Sequence, residues 1–138
     1  PNNTAFGGAS LATNSTGSSN TAIGYGSLTA CSTGDNNTAV GQDSLGTLTT
    51  ANNNTALGYS SGLSLTTGTG NVFIGYAAGD SVTTANQNTI IGAFAGQDLT
   101  DQSANTFLGE EAGQNTIGEA NTFLGALLVK TLMMLIDV

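Results

Sequence analysis

The sequence predicts an all-β fold: a parallel β-solenoid, or β-roll, of about eight coils of 17 residues each. Three observations predict it. Asn recurs at Asn3, Asn20, Asn37, Asn54, Asn71, Asn88, Asn105 and Asn121, at a spacing of 17 residues six times running and then 16. Four residues after each Asn stands a Gly: Gly7, Gly24, Gly41, Gly58, Gly75, Gly92, Gly109 and Gly125. Between them the fourth position of the unit is always apolar: Phe6, Ile23, Val40, Leu57, Ile74, Ile91, Leu108 and Leu124. So short a unit cannot bury a face alone, so it must stack on copies of itself.

The elements of the unit follow in order. Helical repeats need about thirty residues or more, and Gly with β-branched residues throughout opposes helix. The stretch Asn-Thr-Ala-Ile-Gly reads as a short strand, and the later part rich in Thr, Gly and Asn reads as turn. One repeat per coil at about 4.8 Å gives a rod roughly 35–40 Å long. The Asn column (Asn20, Asn37, Asn54, Asn71, Asn88 and Asn105 in its interior) is expected to form an internal amide ladder between coils. The Gly column (Gly24, Gly41, Gly58, Gly75, Gly92 and Gly109) is expected to make a tight corner. There either φ is positive or a neighbouring backbone lies too close for a Cβ. The fourth-position aliphatics are expected to stack into an apolar spine.

The core is not uniform along the chain. Repeats one to three carry Ala at the third position (Ala5, Ala22, Ala39) and Leu at the ninth (Leu11, Leu28, Leu45). Repeats five to seven carry Phe73, Ile90 and Phe107 at the third and Gly79, Gly96 and Gly113 at the ninth. Close-packed interiors favour swaps that conserve volume, so the two positions are expected to share one compartment. Repeat four, with Ala56 and Gly62, breaks the trade, and Leu63 beside it is expected to fill the gap. Alternatively, the bulky residues mark a change in the surface offered to a partner chain.

Composition limits the function classes. Charged residues make up 7% of the 138, and the net charge is −8 with Lys130 the lone base; ordinary domains carry about a quarter charged residues. Nucleic acid and anionic membranes need clustered Lys or Arg, so neither is expected as a partner. With one cysteine, Cys31, no intrachain disulfide forms, and a free Cys is more often a small buried hydrophobe than a nucleophile. No charged segment followed by an apolar run marks a signal peptide. The chain, which opens on Pro1 inside a repeat-like stretch, reads as part of something longer.

Residues 1–125 therefore form the repeat array, and residues 126–138 a cap or transition segment. Ala126 to Ile136 is an apolar run unlike what precedes it, too short for the roughly twenty residues a membrane span needs. Leu128, Leu132 and Leu135 share one possible helical face. A cap on the last open edge, a lead-in to a coiled coil and a docking segment for a further domain all fit, as does a foreign junction.

Candidate chemistry is sparse. No His and a single Lys exclude most nucleophile–base pairs and His-type metal sites. Carboxylates that could pair are Glu110 with Glu111, Asp98 with Asp101, and Asp80 one repeat from Asp98, all at variable positions expected to face solvent. No catalytic, cofactor-binding or metal residue is assigned, although a weak calcium site at such carboxylates is conceivable. Tyr25, Tyr59 and Tyr76 all occupy the sixth position and form the candidate contact surface. Tyr59 and Tyr76, in adjacent coils, are expected to stack as a short ladder; the alternative use of such rings is a sugar-binding surface.

The stretches Asn20-Thr-Ala-Ile-Gly-Tyr-Gly-Ser-Leu28, Asn54-Thr-Ala-Leu-Gly-Tyr59 and Asn71-Val-Phe-Ile-Gly-Tyr-Ala-Ala-Gly79 resemble the head repeats of trimeric autotransporter adhesins. They are still more similar to the repeat arrays of phage tail fibres. The resemblance implies a parallel β-roll in which three chains associate along the fibre axis. It also implies an extracellular place, on a virion tail or a cell surface, and attachment to a glycan or protein receptor. Trimerisation has its own physical motive, since a few apolar side chains per coil make a thin core. The leading expectation is thus a structural, adhesive fibre segment that is not an enzyme. A single-chain ice-binding solenoid is the rival, although its adjacent pairs Thr49-Thr50, Thr66-Thr67 and Thr83-Thr84 would point to opposite faces of a strand. A tailspike-type glycan hydrolase is a third reading, disfavoured by the lack of a cleft constellation.

Overall fold

The computed structural model describes residues 2–126, so residues 127–138 of the expected cap lie outside the described residues. Eight strands of three residues follow one another: β1 (Thr4–Phe6), β2 (Thr21–Ile23), β3 (Thr38–Val40), β4 (Thr55–Leu57), β5 (Val72–Ile74), β6 (Thr89–Ile91), β7 (Thr106–Leu108) and β8 (Thr122–Leu124). They form one parallel sheet in chain order, so the array is a β-solenoid whose eight strands bound seven turns. Each repeat position pairs with itself, Ala22 with Ala39 and Ala56 with Phe73, for example. The one 16-residue coil keeps this register, with Thr106 opposite Thr122. Its missing residue is absorbed in the turn, where the Thr116 hydroxyl is buried without a partner and Ile117 stands 82% exposed.

Alternation along each strand divides inside from outside. The third-position residues Ala22, Ala39, Ala56, Phe73, Ile90 and Phe107 are fully buried. The fourth-position aliphatics form a spine, but on the outer face: Ile23 is 38% exposed, Leu57 47% and Leu108 47%. The interior is instead completed by the ninth position and by a twelfth-position column that the strand motif does not include. That column runs Cys31, Leu48, Leu65, Val82 and Leu99, all fully buried, between Asn14 and Thr116 at its ends. Full burial stabilises each such aliphatic by about 1.5–3 kcal/mol.

Corners are made by left-handed residues. The fifth-position glycines end each strand at φ near +134°, as at Gly7 and Gly109. A Cβ on Gly7 would stand 2.6 Å from the carbonyl oxygen of Gly24, so both the positive φ and the close backbone approach require glycine there. The seventh, ninth and seventeenth positions are also left-handed, with φ of 56° at Asp43, 48° at Leu45 and 61° at Asn53. Backbone bonds cross from coil to coil at these corners as well as along the strands. The Leu28 N–H donates to Ser44, Thr49 to Thr66 and Asn53 to Asp35.

The third and ninth positions meet inside the coil. A Cβ on Gly79 would collide with the Phe73 ring, and one on Gly113 with the Phe107 ring. Phe73 also serves the coil before its own, since a Cβ on Gly62 would fall 2.6 Å from that ring. This corrects the expectation for repeat four. The gap over Ala56 and Gly62 is filled by Phe73 from the next coil, while Leu63 is half-buried and leans over Gly46 on the outside.

Candidate functional site

The candidate surface is the outer face of the sheet and the corner beside it. Each strand turns its first and last residues outward, the second and fourth positions of the unit: a Thr (Val72 in β5) and an aliphatic (Phe6 in β1). Stacking in register makes a Thr column beside an apolar stripe, running the length of the array. Beyond the Gly corner stand the sixth-position tyrosines, with Tyr25 63%, Tyr59 44% and Tyr76 52% exposed. Tyr59 and Tyr76 stack with ring centroids 5.2 Å apart and planes 12° apart. Phe94, from the seventh position of the next coil, meets Tyr76 edge-on at 5.1 Å. Tyr25 lies apart from this ladder because coil three carries Gln42 at the sixth position.

The Asn residues lie in one interior column, where they hold the scaffold rather than face a ligand. The Asn37 backbone N–H and Nδ2 both donate to Asn20 Oδ1, at 2.9 and 3.2 Å. Nδ2 also donates to the Ala51 carbonyl of its own coil at 2.8 Å, which ties the end of the coil to its start. Asn54 and Asn71 repeat the arrangement. Each of these amides thus joins two coils and closes one, so its own buried polar atoms are satisfied without water. A second ladder, of opposite direction, runs outside at the sixteenth position. Asp35 Oδ1 accepts from the Ser18 N–H at 2.7 Å, Asn52 from Asp35, and Asn86 from Thr69. Its members are Asp, Asn and Ser, each with a short acceptor side chain, and that shared chemistry is the sequence signal for it.

Two carboxylates and the thiol are perturbed. Hydrogen bonds from the Ser18 hydroxyl and N–H hold Asp35 below the usual carboxylate range. Burial pushes Asp80 up, with a smaller contribution from the nearby charge of Asp98. Cys31 is fully buried, and desolvation raises its thiol above the usual value, the opposite of what activates a nucleophile. Among the described residues, no group of three or more His, Cys, Asp or Glu is placed to hold a metal ion. Among them, too, no helix is long and apolar enough to cross a membrane. No family model, curated protein or solved structure matches the chain.

Proposed function

We propose that the chain is a length of a structural, adhesive fibre, from a virion tail or a cell surface, that supports attachment to a host or receptor. The observation that carries the reading is the outward apolar stripe, from Phe6 through Ile23, Leu57 and Leu108 to Leu124, with the tyrosines beside it. Soluble monomers rarely leave contiguous apolar patches larger than a few hundred Å² exposed. A stripe of eight residues spaced at about 4.8 Å extends over roughly 34 Å. Three chains set stripe to stripe bury it, and so complete the thin core that each coil has alone. The working unit in this reading is a homotrimer, stiff along its axis, with a glycan or protein receptor as its outside partner.

Sedimentation of the full chain at micromolar concentration tests it. The expected mass is three times 13.6 kDa, and paired substitutions Leu57→Lys and Leu108→Lys are expected to break the trimer. A folded, soluble monomer would overturn obligate trimerisation. It would favour the second reading, a single-chain ice-binding solenoid, which the regular Thr column at the second position supports. The thirteenth-position Thr residues do not help that reading, because their hydroxyls are spent on carbonyls of the next coil, as Thr66 is on Thr83 at 3.1 Å.

A further inference from the structure

We infer that a groove on coils one to four binds a neutral saccharide, which names a receptor chemistry for the attachment role proposed above. The groove, of about 310 Å³, lies where the repeat departs from itself. Its floor contains Gly26 at the seventh position and Gly46 at the tenth. In coils five to seven those positions carry Ala77, Phe94 and Glu111, and Asp80, Gln97 and Gln114. Gly26 is buried, with the Asp43 carboxylate standing where its side chain would be, and Gly46 is half-buried beside Leu63; Tyr25 and Leu63 supply the apolar lining.

Three features of the lining choose the ligand. Tyr25 has no aromatic neighbour, unlike Tyr59 and Tyr76, and leans over Gly8, where an added Cβ would come within 3.2 Å of the ring. Such an exposed ring suits the C–H face of a pyranose, being apolar in body and polar at its tip. Asp43 faces the groove with a carboxylate that only accepts hydrogen bonds when ionised. Thr29 and Thr47 have spent their hydroxyl protons, on the Gly26 carbonyl at 2.7 Å and on the Leu63 carbonyl at 2.6 Å. Their oxygens therefore offer lone pairs alone. An apolar ring beside a set of acceptors calls for a ligand with one apolar face and several hydroxyl donors. The carboxylate and the net charge of −8 turn away acidic sugars and phosphates.

The test is titration of the ¹⁵N-labelled full chain with lactose and methyl glucoside, read from amide shifts. Sialyllactose and tetramethylammonium serve as the acidic and cationic comparisons. Shifts are expected at Gly26, Asp43 and Gly46 with a millimolar Kd, and Tyr25→Ala is expected to weaken binding roughly tenfold. Gly46→Gln, which copies coil six at this position, is expected to close the groove while leaving the other amides in place. Tyr59→Ala is expected to change nothing. Absence of any shift with either sugar up to about 50 mM, far above the millimolar range, overturns the site. So does tighter binding of tetramethylammonium, or binding untouched by both Tyr25→Ala and Gly46→Gln. The outcome is independent of native mass: a sugar-binding monomer removes the trimer and keeps the groove, and a trimer that ignores sugar does the reverse.

Discussion

Coils one to three and coils five to seven enclose the same compartment by opposite means. The first set keeps Ala on the strand and sends Leu in from the ninth position, at φ of 50° for Leu11 and 48° for Leu28 and Leu45. The second set puts Phe or Ile on the strand, where such residues are at home, and leaves Gly in the left-handed position. A left-handed L-residue costs roughly 1–2 kcal/mol, so at the ninth position the N-terminal coils carry backbone strain that the C-terminal coils avoid there. A second difference partly offsets it. Ser10, Ser27, Ser44 and Ser61 at the eighth position donate to the corner glycine carbonyl, at 2.8 Å for Ser10 and 2.9 Å for Ser44. Coils five to seven have Ala78, Ala95 and Ala112 there. One backbone thus tolerates two side-chain solutions, and what it holds constant is volume.

The strongest way to break this comparison is to force both solutions into one coil. Gly79→Leu should collide with Phe73 and add left-handed strain, costing about 3–5 kcal/mol in urea unfolding. Phe73→Ala alone should cost a similar amount through its cavity. The pair should cost clearly less than the sum, and adding Gly62→Leu should recover more, because Phe73 fills both coils. Strict additivity in this cycle would refute the shared compartment.

The Asn ladder supplies the matching control, since Asn37 in the first half and Asn88 in the second make the same three bonds. Asn37→Ala and Asn88→Ala should each cost about 3 kcal/mol, because buried N–H and C=O groups lose their partners. Unequal costs, measured by the same unfolding, would mean that the two halves differ in more than their packing.

Titration gives the smallest effects, and they are of opposite sign. Asp35, in coil two, is favoured as the carboxylate in the folded chain, so its contribution is present above the ordinary carboxylate range. It is lost as pH falls through the lowered folded value. Asp80, in coil five, is disfavoured as the carboxylate, so it costs stability progressively as pH rises from the ordinary range through its raised folded value. Asp35→Asn should therefore lower Tm slightly at neutral pH and Asp80→Asn should raise it. Both differences should vanish in strong acid; a difference that persists there would exclude ionisation as its cause.

Much of this was legible in the sequence because the repeat makes each structural demand eight times. The Asn column, the Gly corner, the third and ninth positions and the Tyr59–Tyr76 pair all recur or neighbour one another at fixed spacing. The twelfth-position column escaped notice because Asn14 and Cys31 precede, and Thr116 follows, a run of only four Leu and Val residues. Outward placement of the fourth position was only half legible: alternation opposes it to the third, but an aliphatic column reads equally well as core. The fate of Leu63 depended on Phe73 reaching across two coils, and a pattern read within one repeat contains no such term. The Tyr25 groove is illegible for a simpler reason: its lining is drawn from four coils, at positions where the repeat varies.

The direction of the Asn ladder has one further consequence. Each Asn offers its oxygen as acceptor to the coil that follows and donates its own N–H to the Asn oxygen of the coil that precedes it. A chain emerging from the ribosome N-terminus first therefore presents, at every new Asn, an acceptor already held in place by finished coils. Assembly in that order needs no distant segment to arrive before the next step. Synthesis and folding can proceed at the same end of the rod, like a zip closed behind its own slider.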